Sequence, residues 1–222
     1  MDIATLIAAD CGGGLGLGFG GGWPNPAVPD PTKTTYIYDS FTDTDGVLLE
    51  NHMPNIGGAW SALLGSTAIL SNRAGASGAS NKYTIDAEVV AVNIQLDAYM
   101  GNVSGGGNND FIQIAFRQAD VLNLYTVTLG KVAGVSIYKI AETTSGTGTD
   151  RATGTWTYAS GAHHVLRLED DGTVMTATID GANPITYSST TKNTNTKIGH
   201  IMAYAGTTVT TKPSIDNFWG WK

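Results

Sequence analysis

Residues 39–60 and the last ten residues constrain the fold more than any other part of this chain. The first stretch reads DSFTDTDGVLLENHMPNIGGAW and the second PSIDNFWGWK. Both are apolar, aromatic segments that also carry Asp. Between them, apolar and polar residues alternate with period two, and apolar residues almost never recur at helical spacing. First and last strands of this kind bury their apolar faces when they pair inside one large antiparallel sandwich.

Strand candidates follow one another from residue 34 onward: 36–41, 68–71, 82–85, 88–100 (long enough for one bent strand or two), 111–118, 122–129, 132–140, 164–169, 174–180, 198–204 and 215–221. Within 111–118, Ile112, Ile114 and Phe116 fall on one face and Gln113 and Arg117 on the other. Asp170-Asp171-Gly172 and Asp180-Gly181 read as hairpin turns, because Gly, helped by Asp, supplies the positive φ such turns need. The polar runs 102–109 (NVSGGGNN) and 143–155 (TTSGTGTDRATGT) read as surface loops. The expected fold class is all-β: a two-sheet antiparallel sandwich over residues 34–222, preceded by a Gly/Pro-rich arm over residues 1–33.

The chain has 222 residues, and all-β sandwiches of about 200–250 residues are ordinary single domains. Only 14% of residues are charged, against about 25% in typical soluble domains. Solubility therefore rests on Ser, Thr, Asn and Gly. The net charge of −7 argues against a nucleic-acid partner, since no basic patch could offset phosphate repulsion. Cys11 is the only cysteine, so an intrachain disulfide is impossible and the sandwich must stand on its core. With a glycine run beside it and no nearby His, Cys11 is a poor nucleophile.

The arm differs from the body. Asp2 can cap a short helix with Ile3, Leu6 and Ile7 on one face. Then Leu15, Leu17 and Phe19 alternate with Gly16, Gly18 and Gly20, and Trp23 precedes Pro24, Pro26, Pro29 and Pro31. Such a segment is apolar on one side and bare backbone on the other, which permits close approach to another surface. Disordered tails are poor in large apolar groups. An anchoring arm is therefore expected, docking through Ile3, Leu6, Ile7, Leu15, Leu17, Phe19 and Trp23 on another protein or on copies of this chain. The stretch 3–9 is too short to span a bilayer, and Met1-Asp2 is not the basic start of a secretory signal. Gly16-x-Gly18-x-x-Gly21 mimics a dinucleotide fingerprint, but prolines follow where a helix is required.

Asp39-Ser40-Phe41, the Asp45-Gly46 turn, Gly57-Gly58-Ala59-Trp60, the segment HHVLRLEDDGTVMTATIDG at 163–181 and the terminal Asp216-Asn217-Phe218 resemble the laminin-G-like, concanavalin-A-like jelly rolls. The resemblance covers residues 36–222. It implies a fold found in sugar-binding modules, secreted enzymes and bacteriophage virion proteins, and it specifies fold far better than function. Related jelly rolls often hold a structural calcium ion. On this chain Asp39, Asp43, Asp45 and Asp216, near the two ends that should pair, are the matching carboxylates. Turn capping by Asp43 and Asp45 is the competing explanation.

Glucanases of this architecture carry Glu-x-Asp-x-Glu on one strand. Here only Asp86-x-Glu88 approaches it, and neither Thr84 nor Val90 supplies the third carboxylate. No catalytic residue is expected. His163 and His164 point to opposite faces of a strand, a poor chelating arrangement. Glycan binding needs exposed rings with polar neighbours. Trp156 and Tyr158 are the leading pair, on one face of a short strand after a polar loop, with Trp60, Tyr125 and Tyr99 as further candidates. The expected function is a non-enzymatic decoration protein displayed on a virion surface and anchored by its arm. A carbohydrate-binding module for host glycans is the alternative, and a glycoside-active enzyme comes third. No cofactor is expected beyond the calcium ion.

Overall fold

A computed structural model describes residues 31–76, 81–104, 109–205 and 208–222. The anchoring-arm residues Ile3, Leu6, Ile7, Leu15, Leu17, Phe19 and Trp23 lie outside them. In chain order the described strands are β1 (Thr35–Asp39), β2 (Ser61–Leu64), β3 (Thr67–Ile69), β4 (Ala74–Ala76), β5 (Asn81–Asp86), β6 (Asn93–Tyr99), β7 (Asn102–Ser104), β8 (Asn109–Asp120) and β9 (Asn123–Val132). They continue with β10 (Val135–Thr144), β11 (Thr147–Thr153), β12 (His163–Asp170), β13 (Val174–Ile179), β14 (Ala182–Ser188), β15 (Lys197–Ala205), β16 (Thr208–Thr211) and β17 (Ser214–Trp221). The only described helical element is a 3-10 turn at Leu49–Asn51, so no described helix is long and apolar enough to cross a membrane.

The strands form two facing antiparallel sheets. The first runs β14-β13-β12-β6-β17-β4-β3, with β1 also paired to β17; the second runs β11-β10-β9-β8-β15-β5-β2. A small ribbon, β16-β7, stands apart. The opening and closing strands pair as the sequence suggests, with Thr35 opposite Trp221 and Asp39 opposite Phe218. Period-two alternation places Ile94, Leu96, Leu166 and Leu168 from one sheet against Ile112, Ile114, Phe116 and Val127 from the other, all buried. Each such side chain contributes about 1.5–3 kcal/mol on burial.

Turn chemistry sets the register. Asp180-Gly181, Ala133-Gly134 and Ser145-Gly146 all have both φ angles positive, and each joins two paired strands. This is the two-residue hairpin turn whose twist matches that of the strands. Three expectations need correction. Residues 143–155 hold strand β11 rather than a loop, and 102–109 begins with β7. The candidate strand 88–100 starts only at Asn93, because Glu88 and Ala91 adopt positive φ in a turn.

Arg117 also departs from simple alternation. It sits at a bulge with φ +46°, and this turns its guanidinium inward. There it pairs with Asp170 of the opposite sheet (Nη2–Oδ1 2.5 Å, Nε–Oδ2 2.8 Å) and donates to the Ser189 carbonyl at 2.6 Å. Both charged side chains are buried. The adjoining cavity, about 10 Å³, has room for a water and not for a sugar ring.

Candidate functional site

Residues 154–162 cross from the second sheet to the first at one end of the sandwich. Backbone bonds fix both ends of the crossing. Gly154 N donates to the Tyr138 carbonyl at 2.9 Å, and Gly161 N donates to the Met100 carbonyl at 3.1 Å. Gly154 is required there, since a Cβ would lie 2.6 Å from the Tyr138 ring and 2.8 Å from Ile185. Midway, Tyr158 N donates to the Ser136 hydroxyl at 3.0 Å. Residues 154–159 have no regular secondary structure, and 160–161 form a turn closed by the Ala162 amide on the Ala159 carbonyl at 3.2 Å.

This crossing presents Trp156. Its ring stands edge-to-face with Tyr158 on one side (6.0 Å between centroids, 85°) and with His164 on the other (5.4 Å, 82°). Part of the ring packs on the core and part faces solvent. His164 Nδ1 pairs with an Asp180 carboxylate oxygen at 2.8 Å, and the other Asp180 oxygen accepts the Val165 amide at 2.8 Å. Asp180 is 52% exposed, so its charge remains available to a ligand. His163 points the other way, against Tyr99 at 4.6 Å. Burial and the nearby Arg73 and His164 charges lower its pKa.

Tyr158 is a support rather than a stacking platform, which corrects the paired-ring expectation. Its hydroxyl turns inward to the Gly101 carbonyl, at 2.5 Å, and to a carboxylate oxygen of buried Asp110. The Lys131 ammonium lies over its ring, 4.6 Å from the centroid. Burial and the Asp110 carboxylate both push the Tyr158 hydroxyl pKa well above its usual value. Asp110 is itself raised by burial, against the Tyr158 hydrogen bond, the Lys131 charge and the Gly101 amide.

The other ring candidates are internal. Trp60 is 2% exposed, with its indole N–H donating to Asp39 at 2.6 Å. Tyr125 is 0% exposed, with its hydroxyl 2.5 Å from that of Thr191. Neither offers a face to a ligand. Tyr99 is half-buried between His163 and the Arg73 guanidinium.

The four calcium candidates do not converge. Asp39 is buried and accepts from Phe41 N at 2.7 Å, from Trp60 and from His52 Nε2 at 2.9 Å. Asp43 takes the other ring nitrogen of His52 at 3.0 Å. Asp45 instead accepts from Ser71 N at 2.7 Å, and Asp216 sits in the β17 bulge, where burial raises its carboxyl against the Arg73 charge. Among the described residues no three His, Cys, Asp or Glu side chains gather as metal ligands. Asp86 and Glu88 lie at an exposed turn, with Asp86 accepting the Glu88 amide at 2.9 Å.

His164, Asp180, Asp110 and Lys131 have roles at this site that sequence reading did not assign. The His163-His164 pair and the Asp180-Gly181 turn were visible as features. Their convergence on Trp156 was not, because it depends on which strands neighbour each other.

No protein-family model matches the sequence, and no curated protein matches it either. Solved structures do resemble it. The carbohydrate recognition domain of Emp47p superposes with a TM-score of 0.61 at 8% identity, over 88% of this chain and 99% of that one. A carbohydrate-binding module, CBM66 from Bacillus subtilis, gives 0.56 at 14% identity over 76% and 98%. SCLam, a GH16 endo-β-1,3(4)-glucanase, gives 0.55 at 13% identity over 89% and 94%. The body has the concanavalin-A-like jelly-roll fold. At these identities the likeness is one of fold, and that fold serves both sugar-binding and sugar-cleaving domains.

Proposed function

We propose that this jelly roll is a non-catalytic glycan-binding module, taking its ligand along residues 154–162 with Trp156 as the stacking ring. The observation that carries the reading is the setting of Trp156. Its indole is held between Tyr158 and His164 and still reaches solvent, so little ordering entropy is lost on binding. Polar partners stand beside it: exposed Thr155 and Thr157 on the same segment, and the Asp180 carboxylate. The sugar-binding neighbours by fold support the same reading. Binding is favoured over hydrolysis because Asp86 and Glu88 occupy an exposed turn rather than a cleft.

Virion display, with its particle-surface location, rests chiefly on the arm. The described body speaks for the second expectation, glycan recognition. A glycan array probed with the whole chain and with Trp156→Ala tests it. Selective binding by the parent, lost in the variant, is the expected result. An array on which neither protein binds, or both bind alike, refutes the site.

A further inference from the structure

Asp180 opens the two-residue β13–β14 turn and is locked onto the start of β12. Its amide donates to the Val165 carbonyl at 2.8 Å, and one of its carboxylate oxygens accepts the Val165 amide at 2.8 Å. The other oxygen pairs with His164 Nδ1, also at 2.8 Å. His164 Nε2 is buried with no partner among the described residues. A proton on Nε2 would be a buried donor without an acceptor, so the N–H of this ring is placed on Nδ1, where Asp180 accepts it. His164 therefore stands between the Trp156 indole and an oriented carboxylate that is still 52% exposed. The cation on the other flank of Trp156 is turned inward. The Lys131 ammonium lies over the Tyr158 ring, and its charge acts on buried Asp110.

We propose that Asp180 determines specificity at the Trp156 site, selecting neutral glycans and rejecting those that carry carboxylate or sulfate groups. The inference rests on the glycan reading of Trp156 and adds the ligand class to it. An ionised carboxylate only accepts hydrogen bonds. A saccharide stacked on Trp156 and reaching past His164 must therefore bring donors to Asp180, and on a neutral sugar those donors are hydroxyls. Each Asp180 oxygen holds one protein donor and keeps a lone pair to spare, so neighbouring hydroxyls can be accepted together. An acidic sugar sets acceptor against acceptor and like charge against like charge. A few ångströms apart at a protein surface, such a pair weakens binding by about tenfold. The net charge of −7 acts in the same direction at longer range. The charge can be removed without disturbing the turn. Asp180 and Gly181 have φ of +53° and +73°, and Asn-Gly suits such a turn as well as Asp-Gly does.

Matched probes test it on the whole chain: each neutral oligosaccharide of the array, and the same oligosaccharide oxidised to the uronate at its primary hydroxyls. The expected result is that the parent binds the neutral member about tenfold or more tightly than the oxidised one. Asp180→Asn should narrow that gap to about threefold or less, chiefly by gaining affinity for the oxidised member. Sodium chloride at about 0.5 M should narrow the gap in the parent as well, since it screens the exposed charge. Equal or tighter binding of the oxidised member by the parent, or an unchanged gap in Asp180→Asn, overturns this inference. If Trp156→Ala still abolishes binding in that case, the glycan reading stands without it. Equal binding by the parent and Trp156→Ala, or no binding by the parent, overturns both. If Asp180→Asn fails to fold by circular dichroism, the salt series on the parent decides, and a gap that persists at high salt overturns the proposal.

Discussion

Thr34 and Lys222 exchange a pair of backbone hydrogen bonds, Thr34 N to the Lys222 carbonyl at 3.2 Å and Lys222 N to the Thr34 carbonyl at 3.0 Å. From there β1 and β17 run antiparallel into the centre of the first sheet, burying Ile37 and Phe218. Folding therefore needs β1, whereas residues 1–30 precede this closure. Deleting 1–30 should leave the melting temperature within about 3 °C, equivalent to about 1 kcal/mol for a domain of this size. Deleting through Asp39 should abolish the cooperative thermal transition followed by circular dichroism.

His200 is 0% exposed, its ring centroid 5.2 Å from that of Trp60 and 5.7 Å from that of Tyr83. Neither ring nitrogen has a partner among the described residues. Burial drives its pKa down to about 3. The folded state thus resists a proton that the unfolded chain accepts near pH 6.5, so stability falls as pH drops below that value. His200→Leu should stabilise by about 1–3 kcal/mol, the cost of an unsatisfied buried polar group. The gain in melting temperature should be larger at pH 5 than at pH 8.

His52 behaves in the opposite sense. Both ring nitrogens face carboxylates, Asp39 and Asp43, which favours the doubly protonated ring. Burial opposes the charge, yet these hydrogen bonds and charges outweigh it and raise the His52 pKa. A raised folded pKa gives stability that is complete below about pH 6.5 and lost as pH rises through the folded value. Urea midpoints taken from pH 6 to pH 9 should fall for the parent. His52→Gln should start lower and lose that slope.

The Arg117–Asp170 pair bridges the sheets in a buried setting. Arg117→Met leaves a buried carboxylate without its guanidinium and should cost about 3–5 kcal/mol. Adding Asp170→Leu should recover part of that loss. A double-mutant cycle by urea denaturation measures the coupling, and additive losses would show that the pair is not a unit.

Much of the fold was legible because period two and turn chemistry are local. The alternation of Ile112, Ile114 and Phe116 marks β8, and Asp180-Gly181 marks the β13–β14 hairpin. The edge strands were harder. β11 is exposed along nearly all its length, so it has no apolar face to betray it, and β14 carries Pro184, which only an edge tolerates. The site was legible only in Trp156. An aromatic on a strand reads equally as core or surface, and the deciding partners are distant: Asp39 is 21 residues from Trp60, and Asp110 is 48 from Tyr158. Trp219 and Trp221 show the same ambiguity. They share a face and stack at 4.2 Å, but outside the main core cluster, beside the Arg167 guanidinium.

Isothermal titration of the strongest array glycan into the whole chain tests the central claim most directly. The comparison is with Trp156→Ala and with Leu64→Ala, a half-exposed side chain on the edge strand β2. The account predicts that Trp156→Ala weakens binding about tenfold or more, equivalent to about 1.4 kcal/mol, while Leu64→Ala binds as the parent does. Equal affinity for the parent and Trp156→Ala, with both folded, would contradict it.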